Sequence, residues 1–356
     1  MELVNVINAV KPLDESAMNL ARKRVDSLVK PIGSLGRIEE LAVQLAGITG
    51  DVYSTFDKKA VIIMCADNGV YEEGVSPAPQ SVTLTQSLNF MKKITGIGVL
   101  SGLSNSDLVV VDIGINSDVV SENFLNRKIR KGTGNLAKEQ AMTREEAEKA
   151  IMVGFNEVKT LKEKGYKAVG TGEMGLANTT TSSLVIMAFT GCSAEEATGR
   201  GAGLTDTLFE HKKQIIAKAF TLHAPNKTDP IGVLHKVGGF DIAGLVGVFL
   251  GAAYHRMPVV IDGLISAAAA LIACELNPIV RQFMIPSHLS EERGYSIAIN
   301  ALEMKPYFNL GMRLGEGTGC PFSFLLIDAA ERMVKNMATF DEAEVRADGV
   351  TYTRGH

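Results

Sequence analysis

Two glutamates lie among glycines in this sequence. Glu173 is part of Gly170-Thr-Gly-Glu-Met-Gly175, and Glu316 is part of Arg313-Leu-Gly-Glu-Gly-Thr-Gly319. A carboxylate in a turn has no helix or strand face that solvates it, and burial beside an apolar neighbour such as Leu314 raises its pKa. Such a carboxylate can act as a general base near neutral pH. The alternative interpretation is that each glutamate caps a helix or accepts backbone hydrogen bonds.

Glycine-rich loops are the second feature with chemical meaning. The chain has 35 glycines, and several form loops that follow an apolar run or precede a helix-like stretch. Glycine lets backbone N–H groups approach an anion, and helix N-termini favour negative charge. Each loop alone is more typical of a turn or helix cap, but together they predict a ligand of nucleotide size. They are Gly132-Thr-Gly-Asn135, Gly170–Gly175, Gly199-Arg-Gly-Ala-Gly203 and Gly315–Gly319.

Two nucleotide-binding classes fit these loops poorly. The Walker pattern GxxxxGK[ST] does not occur in the sequence, which disfavours ATP hydrolysis. A nicotinamide-dependent oxidoreductase is supported only by the glycine loops and the alternation of strand-like and helix-like segments, so it is only a secondary hypothesis. His288, in Ser287-His-Leu-Ser290, follows a predicted strand. It could be catalytic, although a structural histidine bonded to the backbone is favoured.

Composition predicts a soluble globular protein of the cytoplasm that binds neither nucleic acid nor membrane. The 356 residues are 46% hydrophobic and 21% charged, with a net charge of −4 and no long cationic stripe. The longest apolar run, near residues 264–273, is too short to span a bilayer, and the N-terminus does not resemble a signal peptide. Four scattered cysteines without a CxxC pair or a Cys/His cluster predict reduced thiols and no metal site.

Short apolar runs alternate with helix-like stretches along the chain. Residues 60–66, 107–115, 166–170, 258–261 and 279–285 lack period-2 alternation and end near Gly, Asp or Ser, as expected of buried parallel strands with function at their carboxyl ends. Residues 143–164 open as a capping box, Thr-Arg-Glu-Glu, and end at Gly165. The alternation predicts an α/β fold with a doubly wound sheet.

The two ends of the chain read as helical. Residues 16–49 are helix-like and are interrupted by Lys30-Pro-Ile-Gly-Ser-Leu-Gly36, and residues 325–340 read as one helix with an apolar face. With no strand to connect, the two terminal segments are expected to pack together. We therefore predict a large α/β domain over residues 50–305 and a small helical lobe of residues 1–49 and 306–356.

The motifs, taken in order along nearly the whole chain, resemble the nicotinate-nucleotide–dimethylbenzimidazole phosphoribosyltransferase family. Beyond the glycine loops and Ser287-His-Leu-Ser290, the resemblance rests on the following segments: Lys30-Pro-Ile-Gly-Ser-Leu-Gly-Arg-Ile-Glu39, Ala66-Asp-Asn-Gly-Val70, Glu73-Gly-Val-Ser-Pro-Ala-Pro-Gln-Ser-Val-Thr83, Ala141-Met-Thr143, Gly172-Glu-Met-Gly-Leu-Ala-Asn-Thr-Thr180, Val237-Gly-Gly-Phe-Asp-Ile-Ala243 and Asp262-Gly263.

The resemblance implies a Rossmann-like, mostly parallel sheet flanked by helices, a small lobe from both termini, and a homodimer that needs no metal or cofactor. It implies transfer of 5-phosphoribosyl from nicotinate mononucleotide to an aromatic base, with Glu316 as the general base and Glu173 as a second carboxylate. The nucleotide and its phosphate would lie against Gly175, Asn178, Thr179, Gly201, Lys212, Ser290 and Arg313. The acceptor base would lie against Ser76, Ala78, Pro79, Gln86 and Leu314.

Three positions depart from the family pattern. Asn68 stands where the family usually has a histidine, and Ala202 stands where it has a threonine. Ala78 stands where the family often has an aromatic residue. A smaller side chain at residue 78 is expected to reshape the acceptor pocket. The departures also motivate a second hypothesis, in which the chain is one subunit of a heteromeric homologue that acts on phenolic acceptors.

Overall fold

A computed structural model describes residues 2–118 and 124–345. Six strands form one sheet in the order β3-β2-β1-β4-β5-β6, and every pairing in it is parallel. The strands are β1 (Lys59–Ala66), β2 (Asp107–Gly114), β3 (Leu125–Asn126), β4 (Ala168–Met174), β5 (Val259–Ile261) and β6 (Met284–Pro286). The predicted α/β fold with a Rossmann-like sheet is confirmed.

The strand order reverses between β1 and β4, which are direct neighbours with Met64 opposite Glu173. In open α/β sheets, ligands bind outside the carboxyl ends of the strands at such a reversal. Residues that follow β1, β4, β5 and β6 therefore converge on one edge of the sheet.

Two of the strand predictions need correction. The sheet continues through Met174, so the predicted glycine loop around Glu173 is largely strand, and Glu173 lies at the end of β4. Residues 279–285 were expected as a strand, but a 3-10 helix spans Pro278–Phe283 and only Met284–Pro286 pairs with the sheet. The Asn277 side chain accepts a hydrogen bond from the Ile279 amide, and Pro278 has no amide to donate, which favours a turn.

Fourteen α-helices connect and flank the strands within the described ranges. They are α1 (Leu3–Ala9), α2 (Glu15–Asp26), α3 (Arg37–Thr49), α4 (Ser81–Met91), α5 (Gly96–Leu100), α6 (Arg144–Glu163), α7 (Asn178–Thr190), α8 (Ala194–Ala197), α9 (Asp206–His223), α10 (Pro230–Val237), α11 (Phe240–Tyr254), α12 (Leu264–Leu276), α13 (Arg293–Ala301) and α14 (Cys320–Asn336). Among these residues, no helix is long and apolar enough to cross a membrane.

The structure confirms the predicted start of one helix and changes the bounds of another. The capping box at the start of α6 is confirmed, because Thr143 and Glu146 each accept a hydrogen bond from the other's backbone amide. The helix predicted over residues 325–340 is α14, which begins earlier, at Cys320, and ends at Asn336. Pro321 lies in its first turn, where its missing amide costs no helical hydrogen bond.

The sheet has a hydrophobic core on each face. Along β1, Ile62 and Met64 belong to one core and Val61, Ile63 and Cys65 to the other, as the twofold alternation of a strand requires. The first core is formed with α6, α7, α11 and α12, and the second with α3, α4 and α14. The sheet is thus buried on both sides, and its carboxyl edge is free to form a site.

The two ends of the chain contact each other as expected. Leu28 and Thr339 form an antiparallel bridge, and the Val29 amide donates to the Ala338 carbonyl at 2.9 Å. The Arg24 guanidinium donates to the carbonyls of Val334 and Met337. The division into domains of residues 50–305 and 1–49 plus 306–356 stays a prediction.

Helices α6 and α11 approach each other so closely that only glycine fits at their contact. A Cβ atom added at Gly154 would lie 1.9 Å from the Gly244 carbonyl oxygen, and one at Gly247 would lie 1.8 Å from the Ile151 carbonyl oxygen. Both distances are far below contact with rigid backbone atoms, so the packing of these helices depends on the two glycines.

We predict that Gly154→Ala destabilises the protein by about 1–3 kcal/mol, because overpacking outweighs the gain of up to about 1 kcal/mol in helix propensity. Gly102→Ala is the matched control, since its Cβ would meet no atom within 4 Å. Urea denaturation followed by circular dichroism compares the two. Equal midpoints for both variants would contradict the close contact.

Candidate active site

A cavity of about 640 Å³ opens at the carboxyl edge of the sheet. It collects twelve of the fourteen predicted site residues in its wall: Ser76, Ala78, Glu173, Gly175, Asn178, Thr179, Gly201, Lys212, Ser290, Arg313, Leu314 and Glu316. Of the other two, Gln86 contacts Glu316, whereas Pro79 is exposed and does not line the cavity. Distant sequence motifs therefore meet at one place.

Glu316 lies in the turn between the cavity and α14. Its backbone is left-handed, with φ of 61°, and the two glycines that flank it also have positive φ. The side chain is buried, and its Oε1 accepts a hydrogen bond of 2.9 Å from the Gln86 amide, whereas Oε2 has no hydrogen-bond partner among the described residues. Burial is the main cause that raises the pKa of this carboxyl above its ordinary value, and the charge of Asp262 adds to it.

The turn that carries Glu316 is held from below by Asp262, which follows β5. The two carboxylate oxygens of Asp262 accept hydrogen bonds from the amides of Gly317, at 2.9 Å, and Gly319, at 2.7 Å. A left-handed non-glycine residue costs about 1–2 kcal/mol. Hydrogen bonds to a charged group contribute about 1.5–3 kcal/mol each, so this pair offsets the cost at Glu316.

Glu173 supports the same turn from the end of β4. Its Oε1 accepts a hydrogen bond from the Glu316 amide at 3.3 Å, and its Oε2 accepts one from the Asn178 side chain. Burial, and then the charge of Asp241, raise the pKa of Glu173 to about 8. The carboxyl is therefore mostly protonated at neutral pH. It accepts a backbone hydrogen bond, as the alternative interpretation of the sequence held, and it also lines the cavity.

Asp241, at the start of α11, is a fourth buried carboxyl around this part of the cavity, after Glu316, Asp262 and Glu173. It accepts a hydrogen bond of 3.0 Å from the Asn178 amide, which thus joins Asp241 to Glu173. Burial raises the pKa of Asp241 to about 6. A Cβ atom at Gly175 would lie 2.3 Å from the Ala66 carbonyl oxygen. Only glycine therefore fits between the end of β1 and the residues that follow β4.

Lys212 marks the opposite, cationic end of the cavity. This lysine of α9 is buried, and its ammonium donates to Thr179 Oγ1 at 2.7 Å and to the Gly199 carbonyl at 3.3 Å. Burial lowers the pKa of Lys212 to about 8. Gly201 has positive φ, and its α-carbon lies next to both Thr179 and Lys212.

The remaining polar groups of the cationic end come from two other segments. Arg313 is exposed at the mouth of the cavity, and Ser290 and Glu292 line its wall after β6. Burial raises the pKa of Glu292, and the charges of Lys212 and Arg313 oppose that shift. Ammonium, guanidinium and hydroxyl donors around one end of a cavity suit a phosphate group.

The other end of the cavity is apolar. It is lined by Val75, Ala78, Val82, Leu176 and Leu314. The segment of residues 75–78 leads into α4, which carries Gln86, and Glu316 lies between this apolar end and the buried carboxyls. A flat apolar ring in this part of the cavity would have the free Oε2 of Glu316 as a hydrogen-bond acceptor at its edge.

His288 does not belong to the cavity wall. Its ring is fully buried, stacks on Tyr295 and Phe308, and forms a hydrogen bond of 3.0 Å with Ser287 through Nδ1. The favoured interpretation of a structural histidine fits this position, although its partner is a side chain and not the backbone. No group of His, Cys, Asp or Glu in residues 2–118 and 124–345 has the arrangement of a metal site.

Three buried acidic residues of the site received no role from the sequence: Asp241, Asp262 and Glu292. Asp241 and Asp262 stand in motifs noted above, Val237–Ala243 and Asp262-Gly263, and Asp262 directly follows a strand. For Asp262, its position at the end of a predicted strand was the one feature of the sequence that could have indicated a role in the site. Their contacts to Asn178 and to the Glu316 turn join segments distant in sequence, so spacing alone could not reveal them.

Comparisons with known proteins agree on one family. Residues 10–345 match a family model described as phosphoribosyltransferase. The nicotinate-nucleotide–dimethylbenzimidazole phosphoribosyltransferase of Clostridium perfringens (strain ATCC 13124) is 52% identical over 343 residues, which cover 96% of this chain and 95% of the relative. The protein of the same name from Geobacter sp. (strain M21) is 46% identical, covering 97% and 99% of the two chains.

A solved structure gives the same result in three dimensions. The crystal structure of CobT from Thermus thermophilus superposes with a TM-score of 0.89 at 35% sequence identity, covering 93% of this chain and 99% of that one. The family model, the relatives and the shared fold all span nearly the whole sequence. As its motifs predict, this chain belongs to the nicotinate-nucleotide–dimethylbenzimidazole phosphoribosyltransferase family.

Proposed function

We propose that this protein transfers 5-phosphoribosyl from nicotinate mononucleotide to 5,6-dimethylbenzimidazole or a related aromatic base, giving the α-ribotide and nicotinate. The observation that carries the proposal is the layout of the cavity. Glu316, whose Oε2 has no hydrogen-bond partner within residues 2–118 and 124–345, lines the same cavity as the apolar Ala78 and Leu314 and the cationic Lys212. Relatives with the matching name are about half identical over almost the full chain.

The reaction needs a base that acts on the acceptor. One ring nitrogen of the benzimidazole attacks C1′ of the ribose with its lone pair, while the C1′–nitrogen bond to the pyridinium breaks and its electron pair leaves with nicotinate. The other ring nitrogen then carries a proton that must be removed. Glu316 takes this proton through Oε2, the oxygen without a protein partner among the described residues. Direct displacement inverts C1′, so a β-nucleotide gives an α-product.

The buried carboxyls beside Glu316 suit the charge that develops at C1′. Displacement at a sugar carbon passes through a transition state with positive charge on the ring, as in glycoside hydrolysis. The Glu316 carboxylate faces this side of the cavity and Asp262 binds the turn that follows it, whereas Lys212 lies at the phosphate end. Glu173, protonated at neutral pH, holds the Glu316 backbone without adding a further charge.

The nucleotide phosphate binds at the cationic end. Lys212, Ser290 and Arg313 supply its donors, together with backbone amides near Gly175 and Gly201, and Asn178 and Thr179 order the start of α7 next to it. The acceptor ring binds among Ser76, Ala78 and Leu314, with Gln86 fixing the Glu316 carboxylate. Holding both partners in line contributes much of the rate in such reactions.

We also propose that the protein acts as a homodimer in the cytoplasm. Ile94 and Val99, around α5, are 65% and 66% exposed, and Leu103 and Leu314 are each more than half exposed. Gly96, at the start of α5, lies against Leu314, which lines the cavity, so α5 packs beside the cavity wall. Exposed apolar patches of this kind are typical of subunit interfaces. Free thiols at all four cysteines fit the proposed compartment.

We predict that Glu316→Gln lowers kcat about 10²–10⁴-fold, because the amide cannot take the proton. The Michaelis constants should change little, since size and polarity are kept. Product formation from nicotinate mononucleotide and dimethylbenzimidazole is followed by liquid chromatography. Glu145→Gln, an exposed change on α6, is the control. Wild-type turnover in Glu316→Gln would contradict the role of this residue.

The pH dependence provides a second prediction. A base is active only when unprotonated, and burial raises the pKa of Glu316 above 4.5. The transfer rate at saturating substrate should therefore fall about tenfold per pH unit below that raised pKa. Glu316→Gln should lack this limb, which separates Glu316 from titration of the acceptor itself. An acid limb that persists unchanged in the variant would assign the titration to another group.

Lys212→Met tests the phosphate end. Losing a hydrogen bond to a charged phosphate costs about 1.5–3 kcal/mol, so the Michaelis constant for nicotinate mononucleotide should rise about 10- to 100-fold. The Michaelis constant for the acceptor, and the slow reaction of nicotinate riboside, which has no phosphate, should change much less. Lys218→Met, exposed on the same helix, is the control. If the reaction of the riboside were weakened as much as that of the mononucleotide, Lys212 would not be the group that binds the phosphate.

Val99→Asp tests the proposed dimer. A charge within the exposed apolar patch should convert the dimer into a monomer of 38.1 kDa, as measured by light scattering during gel filtration. Leu222→Asp, at a similarly exposed site on α9, should leave the mass unchanged. A wild-type protein that is already monomeric, yet fully active, would exclude the homodimer.

A further inference from the structure

Asp262 is a buried acid that the proposed reaction does not use directly. The residue is 1% exposed and does not belong to the cavity wall. Both of its oxygens are instead bonded to the amides of Gly317 and Gly319, on either side of Thr318 in the turn that follows Glu316. Such a pair of short bonds, made to a charged acceptor, restricts a turn strongly.

The glycines of this turn leave room for the carboxylate. A Cβ atom at Gly319 would lie 2.9 Å from Asp262 Oδ1 and closer still to Ser287 and His288. At Gly317 a side chain would meet Val61, and φ is +88°. The sequence Gly-Glu-Gly-Thr-Gly thus allows the backbone to fold onto Asp262, while Glu316, the only large side chain among these residues, is directed into the cavity.

We propose that Asp262 is a positioning residue for the transfer reaction, which fixes the turn of residues 315–319 through its bonds to Gly317 and Gly319, so that the Glu316 carboxylate meets the acceptor. The inference rests on the proposed function, because it needs Glu316 as the base. It assigns a role to a residue that does not belong to the cavity wall.

The charged and titratable groups around Glu316 and Asp262 determine how the loss of the Asp262 charge should change the pKa of Glu316. Glu316 faces Asp262 and Glu173, with the neutral Gln86 on α4. Asp262 faces His288, whose Nδ1 is 4.0 Å from Oδ1, and its charge acts on Tyr295 and Cys320. Because the charge of Asp262 raises the pKa of Glu316, its removal should lower that pKa and shift the acid limb of the rate to lower pH.

The test is the pH profile of kcat in the full-length Asp262→Asn variant. We expect kcat at neutral pH to fall about 10²-fold, the order that a misplacement of about 1 Å costs, with the Michaelis constant for nicotinate mononucleotide little changed. The acid limb should move to lower pH. A merely structural role would reduce stability or the active fraction and leave the limb in place, and that result, or an unchanged kcat, would overturn the proposal.

Two further variants complete the design. Gly319→Ala displaces the turn but keeps the charge, so kcat should fall while the limb stays at the wild-type pH. It also tests the turn if Asp262→Asn does not fold, and wild-type kcat in Gly319→Ala would overturn the positioning role. Asp328→Asn removes a carboxylate of α14 that pairs with Lys59, away from the cavity, and should leave the limb unchanged.

The proposed function can fail separately from this inference. If the wild-type protein forms no ribotide from nicotinate mononucleotide and dimethylbenzimidazole, the reaction itself is wrong. If the wild type is active, Glu316→Gln is inactive and Asp262→Asn matches the wild type, then only the role of Asp262 is wrong.

Discussion

The site depends on the hydrogen bonds between one buried carboxylate and the backbone of one glycine-rich turn. Asp262 accepts hydrogen bonds from the amides of Gly317 and Gly319, and Glu173 accepts one from the amide of Glu316 itself. Three backbone amides of the turn are thus bonded to two acidic side chains at the ends of neighbouring strands. A turn with three consecutive residues at positive φ has little rigidity of its own. The sheet supplies that rigidity, and Glu316 is held on a fixed scaffold.

The same arrangement explains why the carboxyls of this site differ in protonation. Glu173 and Asp241 are buried and share one Asn178 amide, and burial raises the pKa of both, to about 8 and about 6. The buried lysine Lys212 lies at the cationic end of the cavity, and burial lowers its pKa. The cavity thus combines buried carboxyls beside the Glu316 turn with a buried lysine that interacts with Glu292.

Much of the fold and of the candidate site could be predicted from the sequence. Particular residues show which features could not. Glu316 and Ser290 lie in recognisable motifs, Lys212 was implied by the family resemblance, and all three line one cavity. Glu173 was placed in a loop, because its glycines are typical of turns, yet pairing with β1 continues β4 through this residue. Asp241 and Asp262 gained meaning only from the strand order, which brings the ends of β4, β5 and β6 beside the turn before α14.

The central claim is that Glu316 meets the N–H of the acceptor ring. It is tested most directly by a crystal structure of the protein with 5,6-dimethylbenzimidazole bound. We expect the ring among Ala78, Val82 and Leu314, with one nitrogen within about 3.2 Å of Glu316 Oε2 and the other facing the cationic end. A ring bound beside Lys212, or one whose nitrogens both point away from Glu316, would contradict the account.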